Sequence, residues 1–225
     1  MKDIFSKFGL EASFVDTTDL ENIRKAIKPN TKGIFIETPS NPLLDVTDIR
    51  GTVAIAKEYG LLTIVDNTFL SPYLQRPLEL GADIVVHSAT KYLSGHNDII
   101  AGAIVVNDAT LAEKISFAQV AIGALISPFD SWLLVRSIKT LKVRMDYAQS
   151  NTLKLIEFLQ HHPAVEKVYY PTLENNKGKA IQESQASGAG AVFSFVMKDV
   201  AKVKTFFESL KVALFAVSLG GVETL

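Results

Sequence analysis

"ADIVVHSATKYLSGHND", residues Ala82 to Asp98, joins a short β-branched run to a lysine set among hydroxyl residues and a glycine. The run from Asp83 to His87 reads as a buried strand, because it is short, rich in Ile and Val, and followed directly by small polar residues. Working outward, "LLTIVD" (Leu61 to Asp66), "GIFIE" (Gly33 to Glu37) and "AGAIVVND" (Ala101 to Asp108) have the same character. "GIFIE" runs into the breaker-rich "TPSNP", which reads as a loop. Between it and "LLTIVD" a helix is expected from a cap at Thr47 through Tyr59, with Ile49, Val53, Ile55 and Ala56 apolar and Gly60 as its stop. Continuous apolar runs separated by helices or loops predict an α/β fold whose sheet is covered on both faces.

Beyond the strands, Ser127-Pro128 predicts the start of a long helical region, with serine as the cap and proline as the first helical residue. Neither Gly nor Pro interrupts the chain from Asp130 to Leu159. After His162-Pro163 the segments "KVYYP", "AVFSFVM", "VKTFFESL" and "LFAVS" predict strands and a helix. The expected organisation is a large domain over residues 1–145 and a smaller α+β domain over residues 146–225.

Composition narrows the function. With 225 residues, 48% of them hydrophobic and 21% charged, the chain is long enough to bury a sizeable core. A formal net charge of -1 with scattered Lys and Arg argues against nucleic acid or an anionic membrane as partner. The absence of cysteine excludes a disulfide framework, a thiolate zinc site and a cysteine nucleophile, and fits a reducing compartment. The longest apolar stretches, such as "IIAGAIVV", are too short to span a bilayer, and Met1-Lys2-Asp3 does not begin a signal peptide. A soluble, cytoplasmic protein is expected.

Lys91 follows a predicted strand, and in open α/β sheets ligands gather at the carboxyl ends of strands. Ser88 and Thr90 offer hydroxyls at alternate positions, a spacing able to aim both at one phosphate. Asp66 ends the strand "TIVD", where a buried carboxylate needs a cation. An amine, a carboxylate and paired hydroxyls at strand ends are what a pyridoxal phosphate site requires: the amine forms the imine, the carboxylate keeps the pyridine nitrogen protonated, and the hydroxyls hold the phosphate. Taken singly, Lys91 reads first as a solvated lysine and Asp66 first as a turn residue before Asn67.

Rival readings are weaker. Ser88-x-x-Lys91 has the spacing of penicillin-binding proteins and class A β-lactamases, but here it leaves a strand, Ser-Asp-Asn is absent, and Lys139-Thr140 is followed by Leu141. His96-Asn97-Asp98 lacks a second ligand at metal spacing and reads as loop. His161-His162 read as a helix C-terminal cap. Trp132 and the phenylalanines read as core.

"ETPSNP", "VDNTF", "GADIVVHSATKYLSGHND" and "AVSLGGVETL", in this order over essentially the whole chain, resemble the Cys/Met-metabolism family of pyridoxal-phosphate enzymes. That family contains cystathionine γ-synthase, cystathionine β- and γ-lyases, methionine γ-lyase and O-acylhomoserine sulfhydrylases. The resemblance implies the aminotransferase-like fold (fold type I) with pyridoxal 5'-phosphate as cofactor, a small sulfur amino acid as substrate, and a homotetramer in the complete enzyme. It makes Lys91 the Schiff-base lysine, Asp66 the partner of the pyridine nitrogen, and Ser88 and Thr90 phosphate ligands. It places Asn41 near the substrate carboxylate and the cofactor O3′, and makes Ser218 the serine that orients the lysine. Nothing here matches the family's glycine-rich phosphate loop, its ring-stacking tyrosine or its carboxylate-clamping arginine, so the resemblance implies a chain lacking both ends. Val217 stands where many γ-synthases and γ-lyases have Glu, which favours a C–S lyase; a γ-synthase, a sulfhydrylase or a non-catalytic fragment are the alternatives.

Overall fold

The chain order is α1 (Leu20–Ala26), β1 (Gly33–Glu37), α2 (Ile49–Glu58), β2 (Leu62–Asp66), α3 (Ser71–Leu74), β3 (Ile84–Ser88), β4 (Gly102–Val106), α4 (Ala109–Ile122), α5 (Pro128–Ile138), α6 (Leu141–Gln160), β5 (Val165–Tyr169), α7 (Lys179–Gln185), β6 (Ser194–Met197) and α8 (Val203–Ser209). These elements are those of a computed structural model, which describes residues 4–213 and 215–224. β1, β2 and β3 lie side by side and parallel, and β4 closes the edge antiparallel to β3. The sheet is therefore mainly parallel, as expected for an α/β fold.

Side chains alternate across a pleated strand, so register decides which residues share a face. Ile36 and Val65 fall on one face and pack with Ile49 and Val53 of α2 and with Ala82. Asp48 caps that helix, its carboxylate accepting from the Gly51 amide at 2.9 Å. Thr47, the expected cap, lies one residue too early, and its backbone amide is held by the Thr38 hydroxyl at 3.0 Å. Past the helix, Gly60 adopts φ +64°, a left-handed turn that only glycine enters without steric cost.

On the other face Glu37, Asp66, Val86 and Ile104 stand in register across β1 to β4. Among the described residues no second layer covers it: Phe35 is 46% and Ile104 56% exposed. The expectation of a sheet covered on both faces is thus met on one side only. Along β2 and β3 alternate residues pass from buried to partly exposed where no helix faces them.

The helical region opens as predicted, with the Ser127 hydroxyl accepting from the Asp130 amide at 3.0 Å. It consists of two helices, because the Thr140 hydroxyl donates to the Ser137 carbonyl at 3.1 Å and Arg144 adds a second donor there. Trp132 and Phe129 are not core: they are 58% and 67% exposed on α5. The expected division at 145/146 falls within α6, which continues unbroken to Gln160. β5 and β6 pair antiparallel and pack Val168 and Phe195 on Ile156 of α6. "VKTFFESL" forms α8, as the pattern predicts. Phe215 to Ser218 form no strand; Leu214, the first residue of the expected "LFAVS" strand, lies outside the described residues. No described helix is long and apolar enough to cross a membrane.

Candidate active site

Three parallel strands each end on a polar residue: Glu37, Asp66 and, two residues past the level of Asp66, Ser88. Register puts Glu37 directly beside Asp66. One oxygen of the Asp66 carboxylate, Oδ1, accepts from the Thr68 amide at 3.0 Å and from the Thr68 hydroxyl at 2.6 Å. The Thr68 oxygen in turn accepts from the Ser88 amide at 2.8 Å. Thr68 therefore bridges the ends of β2 and β3 and fixes the Asp66 rotamer. Oδ2 has no hydrogen bond among the described residues, so it is free to receive one. Desolvation, together with the neighbouring Asp66 charge, pushes the Glu37 carboxyl above the usual carboxylate range.

Lys91 lies in the turn that follows β3. Its amide donates to the Ser88 carbonyl at 3.1 Å and its carbonyl accepts from the Gly95 amide at 2.8 Å. Arg144 holds the same turn from α6, donating from Nη1 to the Tyr92 carbonyl at 2.7 Å. The Lys91 side chain leaves this frame to donate from Nζ to the Ser218 hydroxyl at 2.9 Å. Two expected residues that lie far apart in sequence are thereby brought into contact.

The two expected phosphate hydroxyls differ. Ser88 Oγ has no hydrogen bond among the described residues, whereas the Thr90 hydroxyl accepts from the Ala101 amide at 2.9 Å and donates to the Ala101 carbonyl at 3.2 Å. Thr90 thus pins its turn to the start of β4. Asn41 lies in an exposed turn before Pro42, and among the described residues no hydrogen bond joins it to the other expected site residues. The expected loop reading of His96 holds, its Nδ1 facing the Ser94 carbonyl at 2.6 Å, and His161 caps α6 against the Glu157 carbonyl at 2.8 Å. No cluster of metal-ligating side chains occurs among the described residues.

Beneath the strand ends is a buried polar network. Gln75 Nε2 donates to the Thr38 carbonyl at 3.2 Å and to Asn67 Oδ1 at 3.1 Å. Asn67 Nδ2 donates back to the Gln75 carbonyl at 2.8 Å and to the Ser71 carbonyl at 3.1 Å. Gln185 joins from α7, donating to the Thr47 carbonyl at 3.0 Å and accepting from the Ile49 amide at 3.1 Å. Thr38 and Asn67 directly follow Glu37 and Asp66, so the network sets the exit path of both strands. Sequence reasoning passed over Thr68, Gln75 and Gln185. Asp66-Asn67-Thr68 has the spacing of a side-chain-closed turn and could have been read; the two glutamines carry no local signal.

His87 is buried on the covered face, its Nδ1 without a partner among the described residues. Burial holds its imidazole below the ordinary value, while the Asp66 charge and the Asn67 backbone pull the other way.

Two expected outcomes follow from these contacts. Gln75→Glu replaces a donor by an acceptor facing two acceptors, and should lower stability by roughly 3 kcal/mol in urea titration; a loss under about 0.5 kcal/mol would mean the amide pair is idle. For His87, the unfolded imidazole takes up a proton that the folded one refuses, so its contribution is complete above pH 6.5 and declines as pH falls toward the lower folded value. The stability difference between wild type and His87→Gln should therefore shift against the wild type on acidification from pH 8 to about 5, and a pH-independent difference would contradict it.

Comparison with known proteins accords with this geometry. The family model described as Cys/Met metabolism PLP-dependent enzyme matches residues 1–225. The chain is 49% identical to cystathionine beta-lyase MetC of Bacillus subtilis (strain 168) over 223 residues, which are 99% of this chain and 57% of that protein. The crystal structure of cystathionine gamma-lyase from Lactobacillus plantarum complexed with L-serine superposes with a TM-score of 0.96 at 46% identity, covering 98% of this chain and 58% of that one. Cystathionine gamma synthase from Xanthomonas oryzae pv. oryzae, in complex with aminoacrylate and cysteine, gives 0.95 at 42% identity, covering 99% and 58%. The chain thus spans less than two thirds of the length of these relatives. It belongs to the Cys/Met metabolism family of PLP-dependent enzymes.

Proposed function

We propose that the protein acts as a pyridoxal 5'-phosphate-dependent carbon–sulfur lyase on a small sulfur amino acid, with cystathionine as the substrate class. The observation that carries this reading is the Lys91 amine held against Ser218 beside strand ends that present the free Asp66 oxygen and the free Ser88 hydroxyl. That donor set suits the cofactor. Lys91 offers the amine that bonds its aldehyde carbon, Asp66 Oδ2 can face a protonated pyridine nitrogen, and Ser88 Oγ can donate to its phosphate. Thr90 could add a second phosphate contact only by releasing the Ala101 carbonyl. Asn41 is assigned to the substrate carboxylate and the cofactor O3′.

When bound, the cofactor supplies an electron sink for the pair released on deprotonating the substrate Cα. The chain's own residues do the rest. Asp66, its rotamer fixed by Thr68, presents negative charge to the ring nitrogen and favours the protonated state. Lys91, with its amine unbonded, would be a base on a rigid turn, placed to take a proton from the substrate Cα and return it elsewhere. Ser218 gives that amine a resting partner and so limits its orientations.

Val217, next to Ser218, is apolar where the resemblance gives many γ-synthases and γ-lyases a Glu, so no carboxylate stands at that position. Together with the names of the β- and γ-lyase relatives, this supports elimination over replacement. The second reading is γ-replacement by a synthase or sulfhydrylase, favoured by the likeness to cystathionine gamma synthase. For the whole protein we further propose a large domain over residues 1–145, a small one over 146–225, a homotetramer and a cytoplasmic location. The exposed Phe117, Ile122 and Trp132 on α4 and α5 support burial against another subunit.

Borohydride reduction in the presence of pyridoxal 5'-phosphate, followed by peptide mapping, should leave a phosphopyridoxyl group on Lys91, and Lys91→Ala should lose it. Asp66→Asn should still be labelled but bind the cofactor more weakly, since a neutral amide does not favour the ring proton. Labelling of a different lysine, or equal affinity in Asp66→Asn, would remove the basis of the assignment.

A further inference from the structure

Residues 215–224 make no backbone hydrogen bond to the rest of the protein among the described residues, so side chains and close packing must place Ser218. Among the described residues two side-chain bonds reach this segment. One is Lys91 Nζ to Ser218 Oγ at 2.9 Å; the other is Asn97 Nδ2 to Glu223 Oε2 at 2.7 Å. Both partners in the body of the protein belong to the same stretch, Lys91 to Asn97, so the segment is gripped at two points by one loop.

The chain between those points is pressed onto the loop. A Cβ on Gly220 would lie 2.7 Å from the Tyr92 amide nitrogen and 2.9 Å from the Lys91 carbonyl carbon, and Gly220 also has φ +82°. A Cβ on Gly221 would collide with the Asn97 amide. Leu219 packs against the core cluster that contains Tyr92 and Leu93. Only glycine permits this approach.

Both grips hold residues in unusual backbone states. Asn97 has φ +57° and Ser218 φ +138°, regions that non-glycine residues leave unless the surroundings constrain them. Asparagine is among the residues that tolerate the first of these, which explains why the donor at position 97 is an amide on a short side chain. A carboxylate acceptor makes the bond charge-assisted.

We propose that Asn97 and Glu223 form a clasp that sets Ser218 over the Lys91 amine, which makes both positioning residues for the reaction of that lysine. The consequence for turnover rests on the reading of Lys91 as the cofactor-binding amine; the clasp itself does not. Opening it lets the 218–223 segment swing on its remaining contacts, and Ser218 then leaves the sparsely populated backbone state that its hydrogen bond needs.

The test is competitive acetylation of the chain with acetic anhydride, without cofactor, read lysine by lysine by mass spectrometry. Asn97→Gly keeps the left-handed backbone without strain and removes the donor; Glu223→Ala removes the acceptor; Glu223→Gln retains a carbonyl able to accept. Lys91 labelling, relative to the other lysines, should rise by roughly threefold or more in Asn97→Gly and Glu223→Ala and stay near wild type in Glu223→Gln. A uniform rise at all lysines would indicate general loosening and overturn the proposal. So would unchanged Lys91 labelling in the two broken-clasp variants, or a Glu223→Gln chain that labels like Glu223→Ala. Failure of the cofactor assignment would appear in the borohydride mapping alone and leave this result intact.

Discussion

The architecture turns on one buried donor, the Gln75 side-chain amide, which holds the Thr38 carbonyl and the Asn67 side chain at once. Parallel strands satisfy their backbone through their neighbours, but at the carboxyl ends the ladder stops and the exposed peptide groups must find other partners. Thr38 and Asn67 are the residues just past the last paired positions of β1 and β2; the Asn67 amide still donates to the Val86 carbonyl at 2.9 Å, while its side chain and the Thr38 carbonyl turn to Gln75. Because Nε2 faces two acceptors, the amide can be placed only one way round, and the geometry of both exits becomes single-valued. Ser71 shows the consequence: with its amide and carbonyl both bound by Asn67, it accepts a left-handed backbone at φ +56°. Rigidity under the strand ends is converted into a fixed Asp66 and a fixed path toward Asn41.

Upon that base the site is assembled from short links. Thr68 joins Asp66 to Ser88, the Ser88 carbonyl starts the Lys91 turn, Arg144 holds that turn from α6, and Thr90 within it ties it to Ala101 before β4. Of these residues, Asp66 and Ser88 keep a polar atom, Oδ2 and Oγ, without a hydrogen bond among the described residues. The open sheet face therefore combines an apolar floor with a free carboxylate oxygen and a free hydroxyl at its end, an arrangement suited to a flat, charged, aromatic ligand. α7 reaches across to the same network through Gln185, so the C-terminal part of the chain contributes to the stiffness of the strand ends and not only to its own small sheet.

The strands, and the place of Lys91 in the turn after one of them, were legible in the sequence because each is a local pattern: a β-branched run of the right length, then small and polar residues. Asp66 was legible for the same reason, as a charge at the end of such a run. Thr90 shows the limit of that reasoning. Its spacing from Ser88 suggests a phosphate ligand, yet its hydroxyl closes a ring with Ala101, a partner that no local pattern reveals. Gln75 and Gln185 were invisible because a buried amide looks like a surface one until its partners are known. The break between α5 and α6 was missed since it comes from Thr140 and Arg144 competing for one carbonyl, in a stretch with neither Gly nor Pro. Trp132 was assigned to the core from its apolar neighbours, but the amphipathic pattern reports only that a face wants burial, not what will bury it.

These strand ends form a preorganised unit, held by buried amides before any ligand arrives. Native-state hydrogen exchange of the chain without cofactor tests it directly, through the amides of Asn67, Thr68, Ser88 and Lys91, whose acceptors are Val86, Asp66, Thr68 and Ser88. The account predicts that all four exchange only with the strongly protected core of β2 and β3, as one cooperative group. Exchange of Thr68 and Ser88 at rates typical of surface loops, while the strand interiors stay protected, would show that the site is formed by its ligand and would contradict the account.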